Sequence, residues 1–217
     1  RQLLAISDLI SGTSKFTMLD IETSAGRTGK LTEIAYTVGE FRDGKFFKTA
    51  DTYSSVLGDT ADAPTWIKTQ IENVLGQIRA AESSTDPADR LIIGTHNAGH
   101  DLPYLANWAR RLGMDADTLE RAQRNQLANV VSLDTQIVGR LANLQAGSIS
   151  GENLAKSYGI LKTGGAGQTH AAADDVLLQT DVLTQSLSRI KDSGILNHLQ
   201  EAQPENLTGR VLWGIAG

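Results

Sequence analysis

Phe16-Thr17-Met18-Leu19-Asp20-Ile21, continuing into Glu22, is an apolar run that ends on two carboxylates. A Ser/Gly/Thr stretch precedes it, so the run reads as a buried strand. Alternation puts Asp20 and Glu22 on the same face, side by side, where two acids repel unless a cation sits between them. A strand emerging into solvent could carry the same pair, and one Asp-x-Glu is unremarkable among 25 acidic residues. What singles the pair out is its place flush against an apolar run, where acids need a reason to be.

Outward from this strand, a turn is expected at 24–29 and a second strand at 31–38. Arg42-Asp43-Gly44-Lys45 is a hairpin signal into a third strand at 46–53. A helix starts near Pro64, with Trp66, Ile67, Ile71, Val74, Leu75 and Ile78 at helical spacing. After a polar loop at 82–89, Leu91-Ile92-Ile93-Gly94 is a short strand, followed by a helix holding Leu102, Leu105, Ala106 and Ala109. Residues 130–134 read as a strand, 135–144 and 153–158 as helices, 162–168 as a glycine-rich loop and 171–190 as a long helix. Strands and helices in this order make an α/β domain with a mixed sheet flanked by helices. Residues 1–15 read as an N-terminal extension (2–10 helical or outside the main fold), 16–192 as the domain, and 193–217 as a C-terminal extension.

The bulk numbers narrow the function. The chain has 217 residues and no cysteine, so a metal would have to sit on oxygen or imidazole. No window resembles a membrane span or a signal peptide, which points to an intracellular, cytoplasmic setting. Net charge is −5, without the basic face that grips long nucleic acid. Arg110-Arg111 and Arg121 with Arg124 could touch a few phosphates, but read first as solvated helix faces. The chain opens on Arg1 and closes on the apolar stretch Val211-Leu212-Trp213-Gly214-Ile215, which suggests a segment of a longer polypeptide or a processed product.

Two further stretches carry acids at element junctions. In Gly94-Thr95-His96-Asn97-Ala98-Gly99-His100-Asp101-Leu102 a strand ends and Asp101 opens a helix, which it could simply cap. In His170-Ala171-Ala172-Ala173-Asp174-Asp175 two acids enter the last helix, where they could complement its dipole. Helical phase separates them: Asp174 aligns with Asp181 and Gln185, a solvated stripe, and Asp175 with Leu178 and Val182 on the packed side. Asp175 is therefore the candidate metal ligand.

Taken together, Leu19-Asp20-Ile21-Glu22-Thr23, Gly94-Thr95-His96-Asn97 leading to Asp101, and His170 leading to Asp175 resemble the DEDDh 3′→5′ exonucleases, the DnaQ-like, ribonuclease T and oligoribonuclease superfamily. Leu31-Thr32-Glu33-Ile34-Ala35, Leu133-Asp134-Thr135 and Leu154-Ala155-Lys156-Ser157-Tyr158-Gly159-Ile160 extend the resemblance, which runs from about Phe16 to Leu187. It implies a ribonuclease-H-like fold and two Mg²⁺ or Mn²⁺ ions about 4 Å apart. It also implies catalytic roles for Asp20, Glu22, Asp101, His170 and Asp175, with the four acids as metal ligands and His170 as general base. Thr23, Ser24 and Asn97 become candidates for contacting the terminal nucleotide. The implied partner is the 3′ end of single-stranded nucleic acid, with a polymerase or further regions of a longer polypeptide as neighbours, in replication, proofreading or repair. Two departures stand out: an alanine between Ser24 and Gly26, and His100 where the family has an aromatic. His100 reads as a packed, half-buried histidine.

Three rival functions remain. One is RNA trimming or oligoribonucleotide degradation by the same chemistry, because the contacts that read a 2′-OH are not visible in sequence. Another is an inactive binding or scaffolding domain of the same fold, which would be expected to have lost one of the five groups. The last, a metal-free two-carboxylate hydrolase, explains neither Asp175 nor His170.

Overall fold

The run at 16–22 lies in the interior of a sheet. β1 (Thr13–Arg27) pairs antiparallel with β2 (Leu31–Arg42) and parallel with β5 (Leu91–Thr95), and β5 pairs parallel with β6 (Val130–Asp134). Beyond β2 lie β3 (Lys45–Lys48) and β4 (Tyr53–Val56), both antiparallel to it. The sheet is mixed and six-stranded, in the order β3-β2-β1-β5-β6 with β4 also on β2. The computed structural model describes residues 1–27, 30–56, 63–143, 150–161 and 171–196. Its helices are α1 (Gln2–Ser11), α2 (Ala63–Ser83), α3 (Asp101–Arg111), α4 (Ala116–Gln123), α5 (Thr135–Ala142), α6 (Gly151–Ser157) and α7 (Ala172–Ser193). The architecture is α/β, as the order of elements predicts. Among the described residues, no helix is long and apolar enough to cross a membrane.

Strand alternation splits the core in two. Leu19 and Ile21 face α2, α3 and α4, where Ile71, Leu75, Ile78, Leu105 and Leu119 are buried. Phe16 and Met18 face the other way, toward α1, α5 and α7, with Ile6, Leu9, Val138, Val176, Leu183 and Leu187. Burying each such side chain contributes roughly 1.5–3 kcal/mol, so the strand carrying Asp20 is held firmly from both sides. Asp20 and Glu22 share the parity of Met18 and therefore lie on the α7 side.

Several elements differ from expectation. β1 extends well beyond 16–21, and its pairing with β2 runs on to Thr23↔Leu31 with a register shift between Glu22 and Thr23. The turn placed at 24–29 is thus partly strand, and 28–29 lie outside the described residues. The third strand at 46–53 is two short pieces, β3 and β4, each on β2. The hairpin before it forms as its sequence predicts, with Asp43 and Gly44 both at positive φ (51° and 81°). α1 is helical but not outside the fold: Ala5, Ile6 and Leu9 are fully buried against the α7 side of the sheet. α4 was not anticipated. After it, Asn125, at φ 56°, brackets the backbone of Ser132 on β6, donating to its C=O at 3.2 Å and accepting its N–H at 2.7 Å. The loop at 162–168, His170 and the apolar C-terminal stretch fall outside the described residues.

Candidate metal centre

The centre is assembled where β1 passes under α7. Asp20 lies opposite Ala35 in the β1–β2 register, and Ala35 is fully buried and small. α7 presents Asp175 there at 2% exposure, while Asp174, Asp181 and Gln185 face solvent, as helical phase predicts. One carboxylate oxygen from each of Asp20, Glu22 and Asp175 lies within 4.8 Å of the others. Three acids that close could hold a hard cation on their oxygens.

The electrostatics of Asp20 test that fit. Burial, then the charges of Asp101 and Asp175, and last that of Glu22, push its carboxyl up to about 9; only a hydrogen bond from Gln179 opposes them. Its Oδ2 is buried without a hydrogen-bond partner among the described residues. A buried anionic oxygen in a field of carboxylates is costly unless it is protonated or meets a cation. The donor set, all oxygen, suits Mg²⁺ or Mn²⁺.

Asp101 stands beside the triad rather than within it. It opens α3 at 4% exposure, and burial raises its carboxyl although the His100 ring, Nδ1 to Oδ1 3.1 Å, lowers it. It is not the cap of α3, whose cap position is His100 and makes no side-chain cap bond. Its tie to the triad is its charge, which acts directly on Asp20.

No protein-family model matches this chain. No curated protein matches it either.

The other sequence candidates divide. Thr23 is half-buried beside the register shift. Ser24 is exposed and closes the strand end, accepting the Lys30 N–H on its hydroxyl at 3.0 Å. Asn97 is half-buried, and its carbonyl accepts the His100 N–H at 2.8 Å in the turn leading to α3. His170 lies outside the described residues, two positions before α7 begins. His100 is half-buried and stacked on Tyr104, ring centroids 5.8 Å apart. The arginine clusters lie on solvated faces: Arg110 and Arg124 both pair with Glu120, and Arg111 lies over the Trp108 ring.

Gln179 escaped the sequence reading, and Asp134 and His96 were read only as parts of motifs, without a role of their own. Gln179, 2% exposed and one turn beyond Asp175, donates Nε2 to Asp20 Oδ1 at 3.3 Å, and its Oε1 is buried without a partner among the described residues. Its i+4 spacing from Asp175 was the available signal. Asp134 caps α5 through the Gln136 N–H, is raised by burial, and adds its charge to Asp101. His96 bonds Thr135 Oγ1 at 3.0 Å, and burial pushes its imidazole down to about 4, so it is neutral near pH 7.

Proposed function

We propose that this chain is a metal-dependent 3′→5′ exonuclease of ribonuclease-H-like fold that hydrolyses phosphodiester bonds at the 3′ end of single-stranded DNA. The observation that carries the reading is the convergence of Asp20, Glu22 and Asp175, with the Asp101 charge acting on Asp20. The strand order, with antiparallel β2 between β3 and β1 and parallel β5 and β6 beyond, supports the fold.

A phosphodiester is already anionic, so its hydrolysis needs positive charge at the reacting oxygens and a base for the attacking water. Divalent cations supply that charge and ease ionisation of water when bound. Asp20, Glu22 and Asp175 would hold them, with Asp101 contributing from the side of α3. His170 would take the proton, because a free imidazole titrates near neutral pH. An acidic chain suits this task, since end-trimming grips few nucleotides and needs no basic face.

The test is 5′-labelled single-stranded DNA and RNA of equal sequence, incubated with Mg²⁺, Mn²⁺ or EDTA. The expected result is a ladder shortening from the 3′ end, lost in EDTA. Faster loss of the RNA would move the substrate to RNA with the same chemistry. Both strands intact in Mn²⁺ would overturn the reading in favour of an inactive binding domain.

A further inference from the structure

α7 begins without a cap of its own. Its cap position is Ala171, whose side chain cannot accept a bond, yet the first N–H groups of a helix need acceptors. These come from far away in sequence. Glu33, on β2, accepts the Ala172 N–H on Oε2 at 3.0 Å and the Ala173 N–H on Oε1 at 3.4 Å. Ser54, on β4, donates its hydroxyl to Oε1 at 2.7 Å and fixes the carboxylate in turn. Glu33 is only 8% exposed and is the register partner of Glu22 on β1.

A local Ser or Asp at position 171 would serve the helix alone, for about 1 kcal/mol. A buried glutamate from a neighbouring strand costs desolvation that a local cap avoids. It achieves something a local cap does not, fixing the first turn of α7 against the strand pair that carries Asp20 and Glu22. Asp175 lies in that turn, and the chain from His170 enters it.

We propose that Glu33 is a positioning residue, which sets the place of Asp175 relative to Asp20 and Glu22 by anchoring the start of α7 to β2. This rests on the metal-centre reading above. Residues that orient metal ligands typically govern affinity about 10- to 100-fold.

The experiment is binding of Mn²⁺ alone to the full chain, followed by the electron paramagnetic resonance signal of free Mn²⁺, with circular dichroism to confirm folding. Glu33→Gln keeps the size and loses the charge; Glu33→Asp keeps the charge and loses the reach. Both are expected to bind Mn²⁺ about tenfold more weakly than the wild type, with a fall in kcat and little change in KM. Wild-type affinity in Glu33→Asp alone would show that charge is all that matters and overturn positioning. Lower melting temperatures with unchanged Mn²⁺ affinity in both would reduce Glu33 to a structural cap and overturn it too. Should both variants unfold, Ser54→Ala decides: weaker Mn²⁺ binding is expected, and unchanged binding overturns the proposal. A wild type that binds no Mn²⁺ would defeat the metal centre itself and the proposal with it, a result distinct from each of the others.

Discussion

On the helical surface around α3 and α4, Asp115 accepts from the Thr118 hydroxyl and backbone and meets Arg79 at 3.5 Å, which holds its carboxyl below the ordinary range. Nearby, Glu120 is bracketed by Arg110 and Arg124. Under α7, Asp20 is pushed the opposite way, by burial and by three other carboxylates, with one amide as its hydrogen-bond donor among the described residues. Surface acids with cations beside them cost little and contribute little. A buried acid among acids opposes folding, and a cation bound there would relieve that opposition. The contrast separates charges that solvate the protein from charges that the proposed metal centre would neutralise.

The strongest way to break this contrast is Asp20→Asn. Activity should fall about a thousandfold or more, while the metal-free protein should melt several degrees higher, about what 1 kcal/mol gives. A lower melting temperature in EDTA would make Asp20 a structural residue. The next effect is in pH. Because the folded-state value of Asp20 is about 9 against an ordinary 3.8, the folded protein holds a proton that the unfolded chain releases. Stability in EDTA should therefore fall as pH rises from about 4 to about 9, by at most about 1.4 kcal/mol per pH unit for this group. Mn²⁺ should flatten or reverse that slope, since it favours the ionised site. Melting temperatures across this range, with EDTA and with Mn²⁺, check it; a flat EDTA curve would count against a protonated Asp20. The smallest effect is expected from Glu120→Ala, which removes both arginine pairs: under about 1 kcal/mol in denaturant unfolding, and unchanged exonuclease rate. A larger loss of stability would show that the surface pairs are more than solvation.

How much of this was legible in the sequence follows from what each side chain does locally. β1 shows itself as an apolar run, α2 and α7 show their buried faces as helical periodicity, and that periodicity sorts Asp175 from Asp174 in the sequence alone. α4 is obscure because its buried side is only Ala116, Leu119 and Ala122, too small to stand out. α1 looked detachable because a short apolar helix at a terminus carries no mark of what covers it. Glu33 and Gln179 were invisible for a different reason. Each acts on a residue far away in the chain; the i+4 spacing of Gln179 from Asp175 marks its face of the helix but not its partner, which only the packing of α7 on β1 and β2 supplies.

Asn125 has a consequence outside chemistry. A strand at the border of a sheet exposes peptide groups that invite another chain to join. On β6 the amide of Asn125 already satisfies both peptide groups of Ser132, as a fragment of a missing neighbour would. The opposite border, β3, carries exposed Lys45 and Lys48 on a strand of four residues. Short length and like charge discourage self-addition there. Ser132 on β6 and the strand β3 are thereby guarded against edge-to-edge polymerisation, one by a borrowed amide and the other by repulsion, while β4 shares the second margin.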